Sequence, residues 1–152
     1  MRSLGFFVLL VALVAGFGAL FPPDAWYRGL PKPSWNPPDW VFPLVWGVLY
    51  LGIAVAGWRL WRAPSSPQRT VSLWLWGLQL LLNALWTPLF FGLHRPLWAL
   101  CDLLALFAVL AATPGWFRHV SRPALWIFVV YTLWMLFALA LTAAICVGGS
   151  FI

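Results

Sequence analysis

Five apolar runs, each long enough to cross a bilayer and the first four each closed by a short cluster of proline, arginine or histidine, leave this chain little material for anything except a bundle of membrane helices. The runs extend over about Leu4 to Phe21, Trp40 to Trp61, Val71 to Leu93, Leu97 to Trp116 and Ala124 to Val147. With 64% of the 152 residues hydrophobic and 8% charged, there is too little polar surface to wrap a water-soluble domain of this size. The expected fold class is an all-α membrane protein, a five-transmembrane-helix bundle forming a single domain over residues 1–152. A connector at about residues 22–39 joins the first two helices. The first run also has the outline of a signal peptide, with Arg2 ahead of an apolar core and Gly16 and Gly18 near its end.

The formal charge of +6 does not point to nucleic acid, because the basic residues are scattered over span ends rather than gathered on one face. In a five-span chain Arg2, Arg59, Arg62, Arg69, Arg118 and Arg122 fall on one side, and Arg28, Lys32 and Arg95 on the other. The arginine-rich side is expected to be cytoplasmic, which places the N-terminus inside and the C-terminus outside. Cys101 and Cys146 lie within spans and lack metal-ligand spacing, so no disulfide framework, metal site or required cofactor is expected. His94 and His119 stand alone at span ends, as interfacial residues do. No nucleophile, base and acid set can be assembled.

The connector is the least ordinary part of the chain. Within KPSWNPPDW, Lys32 to Trp40, prolines fix extended backbone while Trp35 and Trp40 supply rigid amphipathic surface at the membrane boundary. A connection from Pro22 to Asp39 is long for a helix bundle, and loops of that length commonly serve as lids or binding loops. The two readings are a lid over a cavity and an interfacial anchor.

Within the spans, aromatic and polar residues recur at helical spacing. Trp46, Tyr50 and Ile53 share one face of the second run; Gln79, Asn83, Trp86, Thr87 and Phe90 share a face of the third. Two amides four residues apart are costly to leave toward lipid and are expected to face inward, for interhelical bonding or for a ligand. In the fifth run Tyr131, Trp134, Ala138 and Thr142 mix large rings with small residues, a stripe suited to one wall of a pocket. Asp102 is the one acidic residue inside a span, and an intramembrane carboxylate is a functional candidate by default. Small residues four apart, at Ala12 and Gly16, Ala15 and Ala19, and Gly52 and Ala56, allow close helix approach within or between protomers.

The same residues carry a resemblance. GALF (Gly18 to Phe21), WYRGLPKPSWNPPDWVFPLVWGVLY (Trp26 to Tyr50), QLLLNALWTPLFF (Gln79 to Phe91), DLL (Asp102 to Leu104) and YTLWMLFALALT (Tyr131 to Thr142) are similar to the tryptophan-rich sensory protein family. That family is also called TspO, translocator protein or peripheral benzodiazepine receptor. The resemblance covers nearly the whole membrane domain and argues against removal of the first run. It implies a five-helix bundle, usually a homodimer, whose first loop caps a pocket for porphyrin or haem and for benzodiazepine-type ligands, in a bacterial cell membrane. By similarity Trp35 and Trp40 belong to the cap, Trp46 and Tyr50 to one wall, Asn83 and Trp86 to a second, and Tyr131, Trp134 and Ala138 to a third. Trp46 and Trp134 match tryptophans implicated in light-dependent porphyrin breakdown in bacterial relatives.

Two departures stand out. Leu141 and Thr142 replace the Leu-Asn of many relatives, and no Tyr followed by Lys or Arg lies beyond Trp134, so the sterol-recognition pattern of animal members is missing. The expected function is therefore a tetrapyrrole-binding sensory or regulatory protein rather than an enzyme. Photo-oxidative porphyrin degradation and transport of a porphyrin or another lipophile such as sterol are the alternatives.

Overall fold

Proline and serine set the starts of three helices in the computed structural model, which describes residues 2–151. Helix α1 runs over Arg2–Ala19 and ends ahead of Pro22 and Pro23. A short helix α2, Ala25–Gly29, follows inside the connector, its N-terminus capped by the Asp24 carboxylate, which accepts from the Tyr27 amide at 3.1 Å. Helix α3, Val41–Arg62, tolerates Pro43 because a first-turn residue has no intrahelical acceptor to lose. Helix α4, Pro67–Thr87, opens with Ser66 accepting from the Arg69 amide at 3.1 Å and Pro67 in the first helical position.

Pro88 then has no N–H to give to the preceding turn, and the chain widens into a π-helical turn, Pro88–Gly92, closed by Leu93 N donating to the Pro88 carbonyl at 2.8 Å. Helix α5, Pro96–Phe117, carries Pro114 near its end. The carbonyl of Leu110, deprived of its usual amide partner, accepts instead from the Thr113 hydroxyl at 2.7 Å. Helix α6, Arg122–Gly148, starts from a Ser121 cap.

Helices α3, α4 with its π turn, α5 and α6 are each long and apolar enough to cross a membrane; α1 is apolar and shorter. The five expected spans are thus present as helices, with ends shifted by one to four residues. At 1.5 Å per residue α1 is roughly 27 Å long, close to the hydrocarbon thickness.

Helix α4 packs mainly on α5, α5 on α6, α6 on α3 and α3 on α1, which closes the bundle. Short links make α3, α4, α5 and α6 run alternately up and down. Trp58 donates its indole N–H to Ser3 Oγ at 3.2 Å, which places the start of α1 beside the end of α3. The ends bearing Arg59, Arg62, Arg69, Arg118 and Arg122 therefore gather at one end of the bundle, and the connector with Arg28, Lys32 and Arg95 at the other. In the core Ile53, Leu60, Leu106, Leu110, Phe117 and Phe128 are fully buried. Trp76 crosses from α4 to α3 and donates its indole N–H to the Ile53 carbonyl at 2.8 Å.

The connector is pinned across its end of the bundle. Trp26 and Tyr27 pack edge-on against Phe90 and Phe91 of the π turn, with ring centroids 5.6 and 5.2 Å apart, and Trp35 meets Phe137 of α6 at 5.8 Å. Gly92 is required here: a Cβ at that position would lie 2.7 Å from the Phe21 ring. His94, held at φ 52°, pairs its Nε2 with Asp24 Oδ2 at 3.0 Å, and Trp26 stacks on its imidazole at 4.4 Å. The histidine read from sequence as a solitary interfacial residue is part of this tie.

Candidate functional site

Beneath the connector lies a cavity of about 550 Å³, within the size range of small-molecule sites. Its walls come from three helices: Phe42, Trp46 and Tyr50 of α3; Asn83, Trp86 and Thr87 of α4 with Phe90 and Phe91 of the π turn; and Trp134, Ala138, Leu141 and Thr142 of α6. Leu103 and Leu106 of α5 form the floor. Helix α1 contributes small residues, Ala15, Gly18 and Ala19, and it approaches so closely that a Cβ on Gly18 would lie 3.4 Å from Thr87 Oγ1. The connector adds Phe21, Pro22, Pro23, Tyr27 and Asp39.

The aromatic walls are internally ordered. Trp86 stacks on Phe90 with centroids 5.1 Å apart and planes 15° from parallel, Trp46 lies 5.3 Å from Tyr50, and Trp134 lies 6.2 Å from Phe42. The π turn accounts for part of this arrangement, because the wider winding keeps Phe90 and Phe91 under α2 and beside Trp86.

Polar groups are few, and Tyr50 and Asn83 are committed within the bundle. Tyr50 donates its hydroxyl to Asn83 Oδ1 at 3.0 Å, and Asn83 Nδ2 donates to the Tyr131 oxygen at 2.8 Å, so one amide joins α3, α4 and α6. The indole N–H groups of Trp86 and Trp134 have no hydrogen-bond acceptor among the described residues, although both rings line the cavity. Both nitrogens are buried within the wall rather than exposed to the cavity. Asp39 is the carboxylate in the lining, and the same lining contains no Lys, Arg or His. The phenol of Tyr27 is pushed up from its ordinary pKa, first by burial and then by the charge of Asp39, and stays neutral at physiological pH.

Of the residues expected from sequence, Trp46, Tyr50, Asn83, Trp86, Trp134 and Ala138 line one cavity. Tyr131 is fully buried behind Asn83, and supports the wall rather than forming its surface. Trp35 and Trp40 remain about half or more exposed and lie off the lining; Trp35 clamps the connector to α6, while Trp40 precedes the first turn of α3. Ile53 points into the core, away from the cavity its α3 neighbours face. Asp102 is buried outside the lining, and its Oδ2 has no partner among the described residues. Gln79 is buried as its pattern required, again away from the lining.

Sequence reasoning missed Tyr27, Asp39, Phe42 and the contribution of α1. The Asp-Ala-Trp-Tyr run does carry a helix-start signal, an Asp three residues ahead of the amide it caps. That signal places a helical turn in the connector, and with it Tyr27. Nothing in the α1 pattern marks Ala15, Gly18 and Ala19 as cavity-facing, because small residues serve helix packing equally well.

Residues 6–147 match the family model described as TspO/MBR family. The chain is 37% identical over 135 residues to Protein CrtK of Rhodobacter capsulatus, covering 88% of this chain and 84% of that protein. It is 42% identical over 117 residues to the tryptophan-rich sensory protein of Cereibacter sphaeroides, covering 77% and 72% respectively. With the translocator protein of Bos taurus the identity is 37% over 137 residues, 87% of this chain and 81% of that one. An aromatic cavity under a pinned first connector, in an apolar helical bundle with this likeness over nearly its full length, identifies the chain as an integral membrane protein of the TspO/MBR family.

Proposed function

We propose that this protein binds a tetrapyrrole, porphyrin or haem, in the cavity under its first connector, and acts as a membrane sensory or regulatory protein rather than as a transporter. The observation that carries this reading is the cavity itself: about 550 Å³, walled on three sides by Trp46, Trp86 and Trp134 with their neighbouring rings. Flat aromatic walls suit a flat, polarisable macrocycle through offset and edge contacts, while few polar groups orient it. The connector acts as the lid, since Phe21, Tyr27 and Asp39 meet the cavity from above.

The test is a titration of purified protein with porphyrin in the dark and under illumination, with product analysis. Saturable dark binding supports the reading, and its absence at micromolar porphyrin overturns it. A second reading, light-dependent porphyrin breakdown, is favoured by one observation: Trp46 and Trp134, on different helices, line the same cavity. An indole there can donate an electron to a photoexcited macrocycle, with oxygen as the terminal oxidant. Net consumption of porphyrin only in the light distinguishes it from binding alone.

In the membrane, the arginine-rich end is proposed to be cytoplasmic, with the N-terminus inside and the C-terminus outside. The functional unit is proposed to be a homodimer packed through small-residue faces of its helices. Tag accessibility at the two termini and cross-linking in bilayers test these two statements.

A further inference from the structure

At the bundle end opposite the connector, the link between α5 and α6 forms a cleft of about 470 Å³ lined by Arg118, His119, Arg122, Leu125 and Trp126. The cleft concentrates positive charge with no carboxylate to balance it. The chain's three acidic residues are Asp24 and Asp39 in the connector and Asp102 early in α5, all toward the other end. Among the described residues the one ion pair is His94 with Asp24.

At the same end Arg69 is hydrogen-bonded to the backbone, and Arg59 and Arg62 lie against an aromatic ring. Arg69 donates to the Trp61 carbonyl at 2.7 Å and to the Leu60 carbonyl at 3.2 Å, and stands over the Trp61 ring at 5.0 Å. Arg59 and Arg62 stand 5.4 and 5.3 Å from the Trp58 ring. Arg118 bonds only to its neighbour, donating Nε to His119 Nε2 at 2.9 Å, which leaves its terminal nitrogens free. An imidazole that accepts at Nε2 carries its proton on Nδ1, so His119 retains a donor of its own. Arg122 has no hydrogen-bond partner among the described residues. Two guanidiniums and an imidazole thus converge with unused donors, a set matched to phosphate oxygens.

Leu125 and Trp126 decide which phosphate. Trp126 is 65% exposed on a helix that crosses the bilayer, one turn past Arg122, so the cleft is polar toward the aqueous end and apolar toward the membrane. A free phosphate would leave that apolar half wet, whereas a phospholipid fills both halves. A zwitterionic headgroup would bring a quaternary amine against two guanidiniums. We propose that this cleft binds the phosphate of an anionic phospholipid, and so ties the α5–α6 link to anionic membrane surface.

The test is native mass spectrometry of the detergent-purified full chain titrated with phosphatidylglycerol or phosphatidylcholine. The wild type should bind the first phosphatidylglycerol about tenfold more tightly than phosphatidylcholine, because basic residues at the membrane surface favour anionic lipid. The double variant Arg118→Gln/Arg122→Gln should lose most of that preference. Arg59→Gln/Arg62→Gln, which removes equal charge from the same end, should keep it. Should the glutamine pair not fold, Arg118→Lys/Arg122→Lys retains charge but loses the planar fork, and should lower the preference several-fold. Equal loss in both glutamine pairs, or no loss in either, overturns the proposal. Displacement of the lipid by glycerol phosphate at constant ionic strength overturns the lipid assignment in favour of a free-anion site.

Discussion

Asn83 and Tyr131 are joined by a 2.8 Å hydrogen bond in which the amide nitrogen donates to the phenolic oxygen, and Tyr50 completes the set by donating to the same amide. This makes Asn83 a cross-brace between helices whose carbonyl and one N–H are already committed. Asn83→Leu is therefore expected to lower stability by about 1–3 kcal/mol, because the buried Tyr131 and the partly buried Tyr50 lose their partner. Tyr131→Phe should cost about half of that while leaving the cavity surface unchanged. Thermal unfolding in detergent measures the stability change. Full stability in Asn83→Leu with weakened ligand binding would instead make Asn83 a ligand contact.

The two indoles on opposite walls separate binding from chemistry. Phe keeps much of the contact surface of Trp and is far harder to oxidise. Trp46→Phe and Trp134→Phe are expected to hold dark porphyrin affinity within about tenfold, or roughly 1.4 kcal/mol. Loss of porphyrin absorbance under light should slow sharply in both. Equal rates in wild type, both variants and free porphyrin in detergent would eliminate the photochemical reading and leave binding in place.

Gly57 marks the tightest approach of α3 to its neighbours. A Cβ there would lie 2.5 Å from Trp76 Cε2 and 2.7 Å from Phe7 Cδ1. Gly57→Ala should destabilise the bundle by about 1–3 kcal/mol, since both rings are held, Trp76 by its bond to Ile53. The same substitution at Gly47, where nothing lies within 4 Å of an added Cβ, should be neutral or slightly stabilising. Comparative melting of the two variants checks the contrast.

Asp24 both caps α2 and pairs with His94, so its charge holds the connector down. The backbone N–H of Tyr27 first, and then the charge of His94, keep its carboxyl below the ordinary value of 3.8. A depressed acid contributes fully above its unfolded value and loses that contribution as pH falls through the lower native one. Protection of the connector amides, taken relative to the intrinsic exchange rate at each pH, should therefore fall only below about pH 4 in the wild type. Asp24→Asn should exchange faster at neutral pH and show no acid step. Identical exchange in the two proteins would remove the pair from connector docking.

Trp35 clamps the connector from outside the cavity. If the connector is the lid, Trp35→Ala should raise the ligand dissociation rate several-fold with a smaller fall in protein yield. The expectation rests on the Phe137 contact, which contributes about 1 kcal/mol beyond burial. Stopped-flow dissociation of bound porphyrin measures it; unchanged dissociation with poor yield would make Trp35 an anchor only.

The helices and most of the wall are legible in the amino-acid sequence. Apolar runs of membrane length must satisfy their own backbone, so helices follow, and proline with serine marks their starts. Helical spacing then places Trp46 with Tyr50, and Asn83 with Trp86, on shared faces. A face is a property of one helix, however, and a cavity is a property of several. Ile53 shares the face of Trp46 and Tyr50 yet packs into the core, where α4 and α6 close on α3 and Trp76 bonds to its carbonyl.

What the amino-acid order determined by itself was local: five apolar helices, the end at which each arginine lies, a rigid connector, and a stripe of rings with amides along α4. Tertiary structure decided which of those groups meet. It set Tyr131 behind Asn83 instead of on the wall, brought Asp24 to His94 across seventy residues of chain, and left Arg118 with only its neighbour His119 while Arg69 bonded to the end of α3. The physical reason is range. Backbone satisfaction, capping and apolar periodicity act within a few residues, whereas hydrogen bonds, ring contacts and charge pairs depend on distances of a few ångströms that only the packing of whole helices establishes.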